Sequence, residues 1–280
     1  DPEKKEITGY NPVHRIYQGY GKEAGFSGHF VIQLNEEIAD YGVWDSTTIT
    51  SGRKSAKGQK HAVGAWIKLA SDKPGKTLVK VATSFTSIDN ARKNLASEIP
   101  EWDFNEVRQA SSDTWNQALG QIAVKGNNEK EMVKFYSALY NAHFLPRTFS
   151  DVDGSYPRFD GDGQIMKMDH GTYYCDFSQW DTYRAVHPLF SILNPSRNGD
   201  MAHSLVLKGQ QGGWLPIFPS WNSYTAAMIG DHCIAMIGDA IVKDTPGFDY
   251  EEAYTLMRKN AFEANPDSGS YRDGKGRRAM

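Results

Sequence analysis

The sequence predicts a chain of two textures: an antiparallel β-sheet or sandwich portion over residues 1–86, a helical connector over 87–120, and an all-α domain of packed antiparallel pairs over 121–280. Three observations predict it. Short apolar and polar alternations fill the region before residue 87, the apolar spacing becomes helical from Ser87, and helices follow one another after residue 125 with no strand run between them. A length of 280 residues fits about two domains, each able to bury a core.

In the β portion, HFVIQL at 29–34, AVGAWIKLA at 62–70 and TLVKVATSF at 77–85 read as antiparallel strands, and in the last of these Val79, Val81, Thr83 and Phe85 share one face. SGRKSAKGQK and SDKPGK between them have turn composition. Ser87 is then an N-cap, Ile88, Ala91 and Leu95 keep one helix face apolar, and Pro100 marks the stop. A second helix starts at Asp103 and carries Phe104, Val107, Trp115 and Leu119 towards Gly120. Further helices are predicted over 128–143, roughly 179–192, 197–209, 223–242 and 249–263. Two connections are long. DVDGSYPRFDGDGQIMKMDHGTYYCD at 151–176 and GGWLPIFPSWNSYT at 212–225 can meet at one end of the helices, where a cleft would form.

Composition narrows the chemistry. A net charge of -3 offers no field for nucleic acid or an anionic membrane. No apolar run reaches the roughly eighteen residues of a membrane helix, and DPEKKEITGY has neither the apolar region nor the cleavage site of a signal peptide. Cys175 and Cys233 fix neither a bridge nor a compartment. The 12% of aromatic residues includes several in Gly-, Pro- and Ser-rich contexts, which suits sugar faces and hydroxyls but equally suits a core. HExxH, CxxC, GxSxG, Walker and GxGxxG motifs are all missing, so redox, phosphoryl-transfer and serine-hydrolase readings lose their usual support.

Three stretches carry candidate site residues. In FSQWDTYRAVHPLF, Ser178 and Asp181 have capping-box spacing and Asp181 with Arg184 can form an intrahelical pair, while Trp180 and Asp181 can equally form the stacking wall and hydroxyl acceptor of a sugar site. In AAMIGDHCIAMIGDAIV, Asp231 and His232 interrupt an apolar helix and require partners, structural or functional. The acidic loop with Asp151, Asp153, Asp160 and Asp162 offers hard oxygens but lacks the spacing and twelfth-position Glu of an EF-hand, so it reads as Asp-Gly turns. No metal ligand is assigned.

FSQWDTYRAVHPLFSILNP, GGWLPIFPSWNSYTAAMIGDHCIAMIGDAIVK and GFDYEEAYTLMRKNA, with RIYQGYGKEAGFSGHFVIQL before them, resemble glycoside hydrolase family 92, the calcium-dependent exo-acting α-mannosidases. The resemblance runs from about Ile16 to Ala264. It implies an N-terminal β-sandwich, of which 1–86 would be part, a helical linker at 87–120, and the first helices of an (α/α)6 barrel at 121–280. It also implies hydrolysis of terminal α-mannosidic linkages with inversion, in mannans or N-glycans, by a periplasmic or extracellular enzyme. Calcium would bind the mannose 2- and 3-hydroxyls. By the same resemblance Trp180 and Asp181 match positions that contact mannose, and Arg184, Trp214, Trp221, Asp231 and His232 fall in matched segments as further substrate-binding candidates. The family's acid-bearing E-G-N stretch and base-bearing G-N-D-D stretch do not occur in the sequence. Acid, base and most calcium ligands are therefore expected beyond Met280, and this chain alone is expected to be inactive. A non-catalytic glycan-binding protein and another (α/α)6 carbohydrate-active enzyme, such as a phosphorylase, remain as alternatives.

Overall fold

The computed structural model describes residues 1–16, 20–46, 48–58, 62–70, 75–225, 227–228 and 230–263. The turn piece predicted at 71–76 lies largely outside them. The chain divides into two compact units, one of Asp1–Asn11 and Gly28–Ala110, the other of Pro12–Ser27 and Ser111–Met280.

In the first region β1 (Glu6–His14), β2 (Glu23–Leu34) and β6 (Val79–Ser84) make one sheet in the order β1-β2-β6, and β3 (Ile38–Asp45), β4 (Thr48–Ser51) and β5 (Val63–Leu69) make another in the order β4-β3-β5. β2 pairs with β6, and β3 with both β4 and β5, all antiparallel. The predicted strands are present. β1, β3 and β4 were not anticipated, because they are mostly exposed and show little apolar alternation.

The predicted shared face of β6 is the outer one. Val79 and Val81 are each 53% exposed, whereas Lys80 and Ser84 are buried. The cause is α1 (Ile88–Glu98), whose Ala91 and Leu95 pack with Val31 against Ala82 and Ile99. Lys80 fits there because its amino group donates to the carbonyls of Ile99 (2.9 Å) and Pro100 (2.8 Å), which the helix end leaves unpaired, while its stem stays apolar. Ser87 caps α1 as predicted, its hydroxyl accepting from the Asn90 N–H. Glu6 is buried on the same layer. Burial alone would raise its pKa, but hydrogen bonds from Arg92 and Gln33 outweigh that and hold it below the usual value. α2 (Phe104–Leu119) follows, its start marked by Asp103 accepting from the N–H groups of Asn105 and Glu106.

The second region is mainly helical. α3 (Glu129–Ala142) is capped by Asn128 and bears a depression of about 720 Å³. All its lining residues, among them Met132, Val133, Tyr136 and Tyr140, belong to α3, so it is an uncovered helix face rather than a two-walled cleft. Two ladders then appear where no strand was expected: β7 (Arg147–Thr148) with β10 (Tyr174–Cys175), and β8 (Ser155–Pro157) with β9 (Ile165–Lys167). Strands of two or three residues are too short to leave a period in the sequence. They order the acidic loop, in which Asp153 and Asp162 accept from the backbone N–H two residues on and Asp160 pairs with Arg15 at 2.9 Å.

The helix predicted over 179–192 is two helices, α4 (Gln179–Thr182) and α5 (Val186–Leu193). Pro188 has no N–H to give the Arg184 carbonyl, so it is tolerated only in the first turn of a new helix. α6 (Pro195–Gly212) starts on its proline and stops at Gly213, whose φ of +85° a side chain would disfavour. α7 (His232–Val242) begins later than the predicted 223, because Met228 and Gly230 break the helical path with φ of 55° and 137°. α8 (Tyr250–Phe262) is capped by Asp249, which accepts from the Glu252 N–H at 3.0 Å. α5, α6, α7 and α8 share one core around Phe190, Leu205, Leu215, Met236, Ile237 and Leu256. Cys175 and Cys233 are buried free thiols.

Candidate functional site

α4 is only four residues long and exposes the segment the sequence singled out. Ser178 stands at its N-cap position, yet its hydroxyl donates to Asp181 Oδ2 at 2.7 Å instead of accepting from a backbone N–H. The Ser-Asp spacing thus orients a carboxylate rather than closing a helix end. Trp180, 42% exposed, is beside it. The expected Asp181–Arg184 ion pair is missing among the described residues, because α4 ends before Arg184 can complete the turn. Arg184 instead lies 5.5 Å from the Trp180 ring centroid and 5.4 Å from that of Tyr183.

The start of α7 meets this turn through an aromatic stack. Tyr183 and His232 are 4.6 Å apart at an interplanar angle of 17°. His232 Nε2 is buried and has no hydrogen-bond partner among the described residues, which leaves a ring nitrogen available next to the turn. Asp231 is the N-cap residue of α7, without a side-chain cap bond. Below, Gln179 is fully buried and its amide has no hydrogen-bond partner among the described residues, while burial pushes the nearby Cys233 thiol up to about 12.

Trp221 is held differently. Its N–H donates to Asp176 Oδ1 at 2.8 Å, Asp176 pairs with Arg147, and the Arg147 guanidinium is 4.8 Å from the Trp221 ring centroid. Trp214 is a core residue, 8% exposed, clustered with Phe159 and Tyr224 and with the Lys259 ammonium 4.5 Å from its ring centroid. The structure therefore brings Trp180, Asp181, Arg184 and His232 together at one turn, with Asp231 adjacent in sequence. Trp221 belongs to the Asp176 cluster and Trp214 to the interior.

Sequence reasoning missed the supports. Lys208 on α6 is wholly buried, donates to the Tyr174 carbonyl at 2.6 Å and lies 3.6 Å from the Tyr173 ring centroid. Burial lowers its pKa to about 8. By tying α6 to β10 it positions Asp176 and the following Phe177-Ser178 entry into α4. The visible signal was a Lys inside the apolar run HSLVLKG, which demands an internal partner. Asp176 and Arg147 carried no such signal, being separated by 29 positions that only the β7/β10 ladder closes.

The family model described as the glycosyl hydrolase family 92 catalytic domain matches residues 90–279. A curated protein called an uncharacterized secreted glycosidase, from Arthroderma benhamiae, is 26% identical over 203 residues, covering 71% of this chain and 22% of that protein. Solved structures from Bacteroides thetaiotaomicron are similar along nearly the whole chain. A family GH92 inverting mannosidase aligns with a TM-score of 0.82 and 24% identity, over 99% of this chain and 36% of that one. A family GH92 alpha-mannosidase aligns with a TM-score of 0.79 and 30% identity, over 94% of this chain and 35% of that one. The latter mannosidase in complex with mannoimidazole aligns with a TM-score of 0.80 and 30% identity, over 94% of this chain and 34% of that one. The chain thus spans about a fifth of the curated relative and about a third of the solved structures. With the model matched across more than half of its residues, the chain belongs to glycosyl hydrolase family 92.

Proposed function

We propose that the chain forms part of the substrate-binding face of an exo-acting α-mannosidase that hydrolyses terminal α-mannosidic linkages in mannans or N-glycans with inversion. The observation that carries the reading is the α4 turn: an exposed indole, a carboxylate fixed by a neighbouring hydroxyl and a guanidinium over the indole, all within three residues of Asp181. The Trp180 ring packs against the apolar face of a sugar, and Asp181 accepts from ring hydroxyls in a charge-assisted way. His232 closes the turn from the other side.

Inversion needs a carboxylic acid on the leaving oxygen and a carboxylate on a water, about 6.5–9.5 Å apart. On this reading both come from the part of the family's length that the chain does not span. The architecture proposed with it is a β-sandwich portion over 1–86, a linker over 87–120 and barrel helices over 121–280. An exported location goes with extracellular glycans. Among the described residues no helix is long and apolar enough to cross a membrane.

Calcium takes six to eight oxygen ligands. The described residues do not offer that set: the acidic-loop carboxylates of Asp153, Asp160 and Asp162 are engaged in turns and ion pairs, and the group of three potential ligands elsewhere contains two imidazoles. The roles proposed for Trp180, Asp181 and His232 need no calcium.

The test is mannose release from an aryl α-mannoside, with and without EDTA, by this chain and by the full open reading frame encoding it. EDTA-sensitive release by the full reading frame alone is the expected result. Mannose binding without release by the full product, or release that requires phosphate, would contradict the proposal. Release by this chain alone would move the acid and base onto Asp181, Asp231 or the acidic loop.

A further inference from the structure

Outside the α4 turn, the corner before β10 brings together Asp169, His170 and His203, each offering one ligand atom, all within 4.8 Å of one another. The arrangement has three features that a chance surface cluster lacks. His170 Nε2 lies 3.0 Å from the Gly247 carbonyl, which can only accept, so the proton of the neutral ring is on Nε2 and the lone pair on Nδ1. Nδ1 faces Asp169 Oδ1, 3.0 Å away: an ion pair when the ring is protonated and, when it is neutral, two donor atoms that one metal ion can bridge. His203 on α6 is 9% exposed and its Nδ1 has no hydrogen-bond partner among the described residues, so nothing described there uses that nitrogen. A second carboxylate, Asp200, accepts from the Thr172 N–H at 3.0 Å and adds negative charge beside both imidazoles.

We propose that Asp169, His170 and His203 form a structural site for a borderline divalent transition metal of the zinc class, with water completing the coordination. Two imidazoles and one carboxylate are the donor set such an ion takes and calcium does not. A ligating His whose other N–H is fixed by a backbone carbonyl is the usual arrangement, which Gly247 supplies. Ligands at Zn–N distances of about 2.0–2.1 Å stand closer together than the groups do now. The two rings are stacked with centroids 4.6 Å apart, so the exposed Asp169 and His170 shift slightly at their side-chain torsions for all three donors to face one ion, the Nε2 contact to Gly247 being kept. The ion would fasten the 169–172 corner to α6, one step before the strand that leads to Asp176 and α4. The site is independent of the mannosidase reading.

The test uses protein stripped with chelator and dialysed, titrated with zinc chloride in a calorimeter and with cobalt(II) followed by its visible absorption, for the native sequence and for Asp169→Asn and His170→Ala. Both substitutions are at exposed side chains, and near-UV dichroism of each variant checks that the fold is kept. The expected result is one zinc per chain, a rise in thermal midpoint with zinc, and a loss of affinity of at least about tenfold in either variant. Absence of stoichiometric zinc uptake by the native sequence would overturn the proposal, and so would native affinity in both variants. A preference for calcium over zinc that the same substitutions abolish would overturn the assignment of the metal class.

Discussion

Trp180 and Trp214 stand in two segments of similar chemistry, each a tryptophan among polar and turn-forming residues, yet one is on the surface and the other in the interior. Trp180 is 42% exposed beside an oriented carboxylate, whereas Trp214 is 8% exposed against Phe159 and Tyr224. The difference comes from the backbone on either side of each ring. Trp180 is on a one-turn helix that Pro188 prevents from extending, so its side stays uncovered. Trp214 comes directly after the end of α6, where Gly213 turns the chain back and the Tyr224 hydroxyl binds its backbone at both N–H and carbonyl. A tryptophan in a family segment is thus a ligand candidate only where the backbone fails to bury it.

The largest effect that separates the two is thermodynamic. Trp214→Ala is expected to destabilise the protein by about 3–5 kcal/mol, since it empties a packed aromatic cluster. Urea unfolding followed by near-UV dichroism measures it, and a loss below about 1 kcal/mol would place Trp214 on the surface instead.

Acid should undermine the floor of the exposed turn before the turn itself. His187 on α5 is buried against Phe177, and burial lowers its pKa to about 4 from an ordinary 6.5. Between those values the unfolded chain binds the proton and the folded one does not, so stability contributed by the neutral ring is present above pH 6.5 and falls as pH drops towards 4. The loss is on the order of 3 kcal/mol for a shift of this size. Unfolding midpoints at pH 7 and pH 4.5, compared with His187→Gln, check it: the variant should lose most of this pH dependence.

Next in size is Asp181→Ala. It should lower kcat/KM of the full reading frame for an aryl α-mannoside by roughly 10- to 100-fold, the worth of a charged hydrogen bond to substrate, with little change in thermal midpoint. Smallest is the stability effect of Trp180→Ala, expected within about 1 kcal/mol because the residue is on the surface, 42% exposed, rather than packed in the interior.

Much of this was legible in the sequence, and the reasons are local. Ser87 announced α1 because a cap is a contact between near neighbours. Lys80 defeated the reading of β6, since its place depends on carbonyls about twenty residues away at the end of α1. Met228 defeated the start of α7, as a left-handed methionine is a tertiary compromise that no propensity contains. At the site, Trp180 and Asp181 were visible because a motif carried them. Lys208, Arg147 and the Asp169–His170–His203 corner were not, since ladders and helix packing bring them together across the chain.

The most direct measurement is kcat/KM for an aryl α-mannoside with the full reading frame carrying Trp180→Ala, normalised to folded protein and set beside Trp214→Phe. If the α4 turn faces mannose, Trp180→Ala lowers kcat/KM by about tenfold or more at an unchanged thermal midpoint, and Trp214→Phe lowers the midpoint while folded molecules keep their kcat/KM. Undiminished kcat/KM in Trp180→Ala would contradict the assignment of the turn to the substrate.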